Sequence, residues 1–190
     1  QNSRLTSGLV GLWSFDGPDM AVNTAYDRSG QGNNGTLTNG PVRTIGRLGQ
    51  ALKFDGSDDY VDLGTATPPS AITVSGWINA AGWPSNGTDS AIWGHSDSGA
   101  NSALALEVLN NAGIIQVRWI EETNSTNRKY WAVTTPSPTL FTGTWYHISV
   151  VQTAPATAPD IYINGSAQTV TLPTINAGTP SRGSAAQAIG

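Results

Sequence analysis

Apolar and polar residues alternate along this chain in short runs, which is the pattern of strands that bury one face. Clusters of Gly, Asn, Asp, Ser and Pro separate the runs, and no window holds an unbroken apolar helical period. Short strands without crossover helices predict an all-β fold built from antiparallel sheets, a sandwich or a barrel. The predicted strands are residues 9–15, 51–54, 60–63, 72–78, 103–109, 114–120, 129–133, 145–151 and 160–163.

Two turns join neighbouring strands closely enough to predict hairpins. The sequence Asn-Asn-Ala-Gly at residues 110–113 lies between two alternating runs. Asn164-Gly165 follows Ile161-Tyr162-Ile163, and Asn-Gly is the dipeptide that two-residue hairpin loops prefer.

The alternation also assigns side chains to the two faces of each strand. One face carries His147, Glu107, Arg118 and several aromatic rings, and function is to be sought there. The other face is the predicted interior of the sandwich. It comprises Ile72, Val74, Ile78, Leu104, Leu106, Val108, Ile115, Val117, Trp119, Tyr146, Ile148 and Val150.

Composition narrows the function classes. The 190 residues suit one domain, residues 1–190, and the first residue is Gln1, so we expect a piece of a larger protein. Charged residues make up 12% and the net charge is -4, which gives no cationic surface for nucleic acid. No apolar run is long enough for a membrane span, so we expect no membrane insertion. The absence of cysteine excludes disulfides and thiol chemistry.

Several blocks of the sequence resemble one known family. Residues 8–17 read GLVGLWSFDG, residues 25–37 AYDRSGQGNNGTL and residues 49–61 GQALKFDGSDDYV. Together with residues 72–78, 145–150 and 161–165, they resemble laminin-G-like, concanavalin A-like jelly-roll domains. The resemblance implies a two-sheet antiparallel β-sandwich. It leaves function open, because that fold hosts lectins, adhesion modules, viral fibre tips and glycanases.

The resemblance has one departure. Members of the family continue, after a segment similar to residues 188–190, into a final acidic strand beside the first strand. The sequence ends at Gly190. We expect either a truncation or a partner chain that supplies a strand at the edge near residues 9–15.

Catalytic patterns are poorly represented, and we predict that the protein is not an enzyme. Retaining glycosidases need two carboxyl groups about 5 Å apart. Glu107 has no acid within reach on its strand, and adjacent Glu121 and Glu122 point to opposite faces of a strand. His95 and His147 are the only histidines, and no Gly-x-Ser-x-Gly motif exposes a serine.

Calcium is the cofactor that the sequence favours. Ca²⁺ binds carboxylate, amide and carbonyl oxygens in glycine-rich turns, and residues 27–35 offer such a turn. In the resembling family an acidic residue after the first strand adds a ligand. The predicted metal ligands are Asp16, Asp27, Asn33 and Asn34. The alternative is that Asp27 and Asn34 only form Asx-turns.

Sugar binding would depend on exposed aromatic rings, because a pyranose stacks its C–H face on Trp or Tyr while polar side chains bind its hydroxyls. Trp83, between Gly82 and Pro84, is expected to be exposed, although it could instead fold over the end of the sandwich. The full set of predicted ligand contacts is Trp83, Trp93, His95, Glu107, Arg118 and Tyr130.

We therefore predict a non-catalytic carbohydrate-binding or adhesion module of a secreted or surface protein, extracellular or on a cell or viral surface. The alternative is a structural or protein-interaction module of a surface fibre, pilus or virion. Exposed Trp83, Trp93 and Tyr130 around one groove would favour glycan binding. Burial or scattering of these rings would favour the alternative, in which a surface protein is the partner.

Overall fold

The computed structural model describes residues 8–95, 103–124, 127–175 and 185–190. Within these ranges the regular secondary structure consists of strands, apart from a single 3₁₀ turn at Gly17–Asp19. None of the helical segments described there is long and apolar enough to cross a membrane. The chain forms two compact units, Gln1–Gly64 with Gln187–Gly190, and Thr65–Ala186. The expectation of a single domain stays a prediction.

The first unit contains two small antiparallel arrangements of strands. Its strands are β1 (Thr24–Ala25), β2 (Gly35–Thr38), β3 (Val42–Ile45), β4 (Gln50–Lys53) and β5 (Tyr60–Ala66), the last of which runs on into the second unit. β2 pairs with both β1 and β5, and β3 pairs with β4. β4 and β5 confirm the strands predicted at 51–54 and 60–63, with boundaries that differ by up to three residues.

The strand predicted at residues 9–15 is wrong. This segment has no regular structure, and Phe15 has a φ of 60°, which interrupts an extended chain. Its backbone groups bond to a neighbouring turn: the Leu12 N–H donates to Asp27, and the Arg28 N–H donates to the Leu12 carbonyl. A partner chain at this edge, the alternative to truncation, stays a prediction.

The second unit contains most of the strands. They are β6 (Ile72–Asn79), β7 (Asp89–His95), β8 (Ala103–Asn111), β9 (Ile114–Asn124), β10 (Asn127–Val133), β11 (Trp145–Gln152), β12 (Asp160–Ile163), β13 (Ser166–Ala167) and β14 (Thr171–Ile175), with β15 (Ala185–Ile189) beginning at its end. β7, β8, β9, β10 and β14 are neighbours in that order in one antiparallel sheet. β6, β11, β12 and β13 form another.

The core of the second unit lies between these two sheets, so the fold is the predicted antiparallel β-sandwich. Side chains from β8, β9 and β10 pack with side chains from β11 and β12, and all twelve predicted interior residues belong to or pack against this cluster. Trp119, Val117 and Val150 are fully buried. Alternation predicted the interior because a pleated strand turns successive side chains to opposite faces.

Both predicted hairpins are present. Asn111 pairs with Ile114 across the first, and Ile163 pairs with Ser166 across the second. Asn164 and Gly165 have φ values of 51° and 78°, the left-handed conformations that a two-residue loop requires.

The expectation that one face carries Glu107, Arg118 and His147 together is wrong. Glu107 and Arg118 lie opposite each other on β8 and β9, whereas His147 lies on β11 of the other sheet. The side chains of each strand were correctly assigned to its inward or outward side. Local alternation does not say which strands share a sheet, however, because strand pairing is a long-range contact.

Candidate functional site

The outward face of β7, β8, β9 and β10 gathers polar side chains near its centre. Glu107 on β8 lies directly opposite Arg118 on β9, and Ala132 on β10 lies on the far side of Arg118. Tyr130 lies two residues before Ala132 on β10, so its side chain shares this face. We call the group the Arg118 cluster, which comprises Asp89, Glu107, Arg118 and Tyr130.

Arg118 joins the members of this cluster. Its Nε donates to Glu107 Oε1 at 2.6 Å, and its Nη2 contacts the same oxygen. Nη2 also donates to Asp89 Oδ2 at 2.8 Å. The Arg118 Cζ lies 5.2 Å from the centre of the Tyr130 ring, within the range of a cation–π contact. Ion pairs and the ring thus fix the guanidinium from several sides.

Burial divides the cluster into a hidden and an accessible part. The side chains of Arg118 and Glu107 are 9% and 10% exposed, whereas that of Asp89 is 51% exposed. Tyr130 is partly exposed. Two carboxylates share one guanidinium, so the cluster carries a net negative charge. A ligand on this face would meet the Asp89 carboxylate and the Tyr130 ring, both oriented by the buried pair.

Trp83 and Trp93 do not join Tyr130 around a groove. The register between β7 and β8 shifts between Ala91 and Trp93, so that Trp93 faces Leu106 and packs on the core. Its ring stacks on Trp119, with centroids 6.0 Å apart and planes inclined by 5°. Trp83 is half-buried against the same core, so its expected exposure is wrong. By the criterion derived from the sequence, this scattering of the rings favours the protein-interaction alternative, and a case for glycan binding depends on other residues. Ligand binding by Trp83 and Trp93 stays a prediction.

Among the remaining predicted contacts, Glu107, Arg118 and Tyr130 are brought together. His95 is the last residue of β7, and its side chain lies outside the described part of the structure. Asp89 was missed, because it stands at the end of a polar segment whose sequence resembles a loop. Only the pairing of β7 with β8 brings Asp89 within reach of Arg118.

Asp27 organises the turn where calcium was predicted. Its Oδ1 accepts from the Leu12 and Ser29 N–H groups, and its Oδ2 accepts from Ser29 Oγ and the Asn33 N–H. Partial burial raises the pKa of Asp27, but the hydrogen bonds from Ser29, Leu12 and Asn33 outweigh it and hold the pKa below the usual 3.8. Both carboxylate oxygens therefore already have protein donors.

The other predicted metal ligands also form hydrogen bonds within the protein. Asn34 Oδ1 accepts from the Asp27 N–H at 2.9 Å, and Asn33 Nδ2 donates to the Val10 carbonyl at 2.7 Å. Asp16 Oδ1 accepts from the Gln50 N–H at 2.7 Å. The hydrogen bonds of Asp27 to the N–H groups of Ser29 and Asn33 agree with the Asx-turn alternative. Calcium binding stays an untested prediction.

Asp55, Asp58 and Asp59 form a separate acidic group, with one carboxylate oxygen of each lying within 4.8 Å of the others. The Asp55 carboxylate accepts from the Ser57 N–H at 2.8 Å, and this bond is the main reason its pKa lies below the usual value. The three side chains are exposed or half-exposed, and the bond from the Ser57 N–H to Asp55 stabilises the turn in which they lie.

The adjacent glutamates on β9 point to opposite faces, as predicted. Glu121 is 2% exposed and turns inward, where its Oε2 accepts from Gln152 Nε2 at 3.2 Å and from the Ala156 N–H at 2.5 Å. Gln152 in turn accepts from Trp119 Nε1 at 2.8 Å. Glu121 thus satisfies buried donors at one end of the core.

Comparisons with known proteins agree with this architecture. Residues 55–190 match the family described as the concanavalin A-like lectin/glucanases superfamily. No curated protein matches the chain at a significant level.

Two solved structures with TM-scores above 0.5 share this fold at low sequence identity. Domain 4 of AbnA, a GH43 extracellular arabinanase from Geobacillus stearothermophilus solved with arabinotriose, has a TM-score of 0.60 and 18% identity, covering 86% of this chain and 76% of its own. The binding domain of Paraclostridial Mosquitocidal Protein 1 has a TM-score of 0.69 and 14% identity, covering 97% of this chain and 44% of its own. The carbohydrate-binding module CBM66 from Bacillus subtilis is more distant, with a TM-score of 0.39 and 18% identity over 82% of this chain and 90% of its own.

Proposed function

The chain belongs to the concanavalin A-like lectin/glucanases superfamily, and on that premise we propose that it is a non-catalytic carbohydrate-binding module that works outside the cell. The Arg118 cluster is its proposed binding site. The similar domain of an extracellular arabinanase, solved with arabinotriose, supports this choice of ligand class and location.

The observation that carries the proposal is the buried Arg118–Glu107 pair on a sheet face that points away from the core. Burying two opposite charges costs desolvation energy, and such a pair adds little net stability compared with apolar residues. Such a pair can instead serve binding, by holding neighbouring polar groups in place. Groups that are already fixed lose less entropy when a ligand binds.

The exposed part of the cluster suits neutral sugars. The Asp89 carboxylate has one oxygen bonded to Arg118, and as an acceptor it can receive sugar O–H groups. The Tyr130 ring offers an apolar surface for a sugar C–H face. The net negative charge would repel the carboxylates of uronic acids, so neutral glycans should bind in preference to acidic ones.

The arrangement supports a binding role rather than hydrolysis. In a glycosidase, two carboxyl groups flank the scissile bond with the sugar between them. In the Arg118 cluster one guanidinium bridges Glu107 and Asp89, so the space between the two carboxylates is filled. Glu107 is also too deeply buried to act on a bond in a polysaccharide.

Affinity gel electrophoresis tests the proposal. Wild-type protein is run through gels containing arabinan, arabinoxylan, mixed-linkage β-glucan or polygalacturonate. We expect retardation by at least one neutral polymer and none by polygalacturonate. Asp89→Ala should weaken binding at least about tenfold, because it removes a charged hydrogen-bond acceptor.

Asp58→Ala is the matched control, since it removes an exposed carboxylate from outside the Arg118 cluster. It should bind like the wild type. Free migration of the wild type through all three neutral gels would overturn the proposal and favour the structural or protein-interaction module. Equal binding by Asp89→Ala and wild type would remove the Arg118 cluster as the site.

A further inference from the structure

The sheet on the other side of the core also has an outward face, formed by β6, β11 and β12. Side chains at alternate positions of these strands face away from the core, because their neighbours Ile78, Tyr146 and Ile161 pack into it. We call this outward set the Trp77 face. Its central members are Ser75, Trp77, Trp145, His147, Ser149 and Tyr162.

Trp77 lies on β6, the edge strand of this sheet, and is 41% exposed. The core does not explain it, since the inward positions of β6 belong to Ile72, Val74 and Ile78. A large ring that stays half in water contributes little to folding compared with a buried one. Exposed indoles are a common contact surface for ligands, because the ring is rigid and loses little entropy when it is covered.

The rings on this face are held in place before any ligand arrives. Trp77 pairs with His147 across the strands, and their ring centroids lie 5.3 Å apart at an angle of 60°. His147 Nε2 lies 3.1 Å from Ser75 Oγ, which fixes the imidazole from its other side. The His147 N–H donates to Asn164 Oδ1 at 2.9 Å, which ties the strand to the next hairpin.

The chemistry of the Trp77 face selects among ligand classes. Its six central residues offer aromatic rings and hydroxyl groups, and the charged residue at an outward position of these three strands is Asp160, exposed at the start of β12. Nucleic acid would need cations, and a stable protein interface would need a larger apolar centre. Rings flanked by hydroxyl groups match a neutral sugar, whose C–H face stacks while its O–H groups form hydrogen bonds.

We propose that the Trp77 face is a second binding site for neutral glycans, separate from the Arg118 cluster. The two sites lie on opposite outward faces of one sandwich, whose sheets pack about 10 Å apart. A short oligosaccharide can therefore occupy only one of them at a time. Two different polysaccharide chains can occupy both, so the module would cross-link polymer chains.

Titration with arabinotriose and cellotriose, and the gels described above, test this site. Trp77→Ala should weaken polymer binding about threefold to tenfold, the ratio that loss of one stacking contact implies. Trp77→Phe, which keeps an aromatic ring, should recover part of it. Tyr26→Ala is the control, because it removes a comparably exposed ring, 38% against 41%, from the first unit.

Two variants separate this inference from the proposed function. If Asp89→Ala and Trp77→Ala each lower the trisaccharide stoichiometry and the double variant binds nothing, both sites are supported. If Trp77→Ala binds like the wild type while Asp89→Ala does not, the second site is overturned and the proposed function stands. If only Trp77→Ala loses binding, the Trp77 face is supported and the Arg118 cluster fails.

Two further outcomes would overturn the second site. Sedimentation velocity that shows a wild-type dimer and a Trp77→Ala monomer would make the Trp77 face a contact between two copies of the chain. A wild type that binds none of the neutral polymers or trisaccharides would exclude glycan from both faces.

Discussion

The two outward faces of the second unit differ in which side chains they bury and which they expose. The Arg118 cluster hides its charges, with Arg118 and Glu107 about a tenth exposed, and shows only Asp89 and Tyr130. The Trp77 face hides no charge and leaves the Trp77 side chain 41% exposed. The first face depends on fixed electrostatics, and the second depends on a fixed apolar surface.

This difference predicts that the two faces contribute unequally to stability. A buried charge that loses its partner keeps the whole desolvation cost, whereas an exposed ring that is removed gives up only a small contact area. Mutations of the buried Arg118 or Glu107 should therefore change stability as well as binding. Mutations on the second face should act on binding almost alone.

The largest effect is expected from Arg118→Met. It leaves Glu107 buried without the guanidinium, and we expect the free energy of unfolding in urea to fall by about 3–5 kcal/mol. The matched variant Arg118→Met/Glu107→Leu removes both charges and should recover most of that loss, yet still fail to bind glycan. A loss below about 1 kcal/mol for the single variant would contradict the comparison, because it would mean that water reaches Glu107.

A smaller effect is expected at Asp27, which serves as a reference outside both faces. Asp27→Asn replaces a carboxylate that accepts from Leu12, Ser29 and Asn33, and should cost about 1–3 kcal/mol at neutral pH. Hydrogen bonds hold the folded-state pKa below the usual 3.8, so this stabilisation is present above pH 3.8 and is lost as the pH falls through the folded-state pKa. Urea unfolding at a series of pH values measures it. A difference between wild type and variant that stays constant at the lowest pH would refute this assignment.

The smallest effect on folding is expected from Trp77→Ala. The contact of Trp77 with His147 is worth about 0.5–1.5 kcal/mol, and exposure places the loss at the lower end of that range. Thermal and urea unfolding, read by circular dichroism rather than by tryptophan fluorescence, provide the measurement. A loss comparable to that of Arg118→Met would show that Trp77 is a structural residue, and it would remove the contrast between the faces.

Much of the sandwich was predictable because it depends on local alternation. Ile148, Leu106 and Val117 were assigned to the interior from their neighbours alone, and all three are buried. The turn at Asn164-Gly165 was equally local, since two left-handed residues close a hairpin wherever they occur. The candidate site was only partly predictable. Glu107, Arg118 and Tyr130 were named as contacts, but their grouping around one guanidinium depends on which strands pair.

The errors have the same origin. Residues 9–15 alternate like a strand, but their N–H and C=O groups bond to the Asp27 turn, and a strand exists only where another strand pairs with it. Trp93 fits an outward loop contact until the bulge after Ala91 turns it onto Trp119. Neither the hydrogen bonds of residues 9–15 nor the bulge can be predicted from the local alternation of apolar and polar residues.

The sequence by itself determined the class of fold, the set of side chains that leave water and the positions of two hairpins, because each follows from contacts between residues close along the chain. Tertiary structure alone decided that Asp89 meets Arg118, that His147 belongs to the opposite face, and that Trp83 folds against the core. The physical reason is that register and sheet order are set by pairing between distant strands. The free energy that favours one register and one sheet order is the sum of many weak contacts between distant strands. It therefore cannot be predicted from a short segment of sequence.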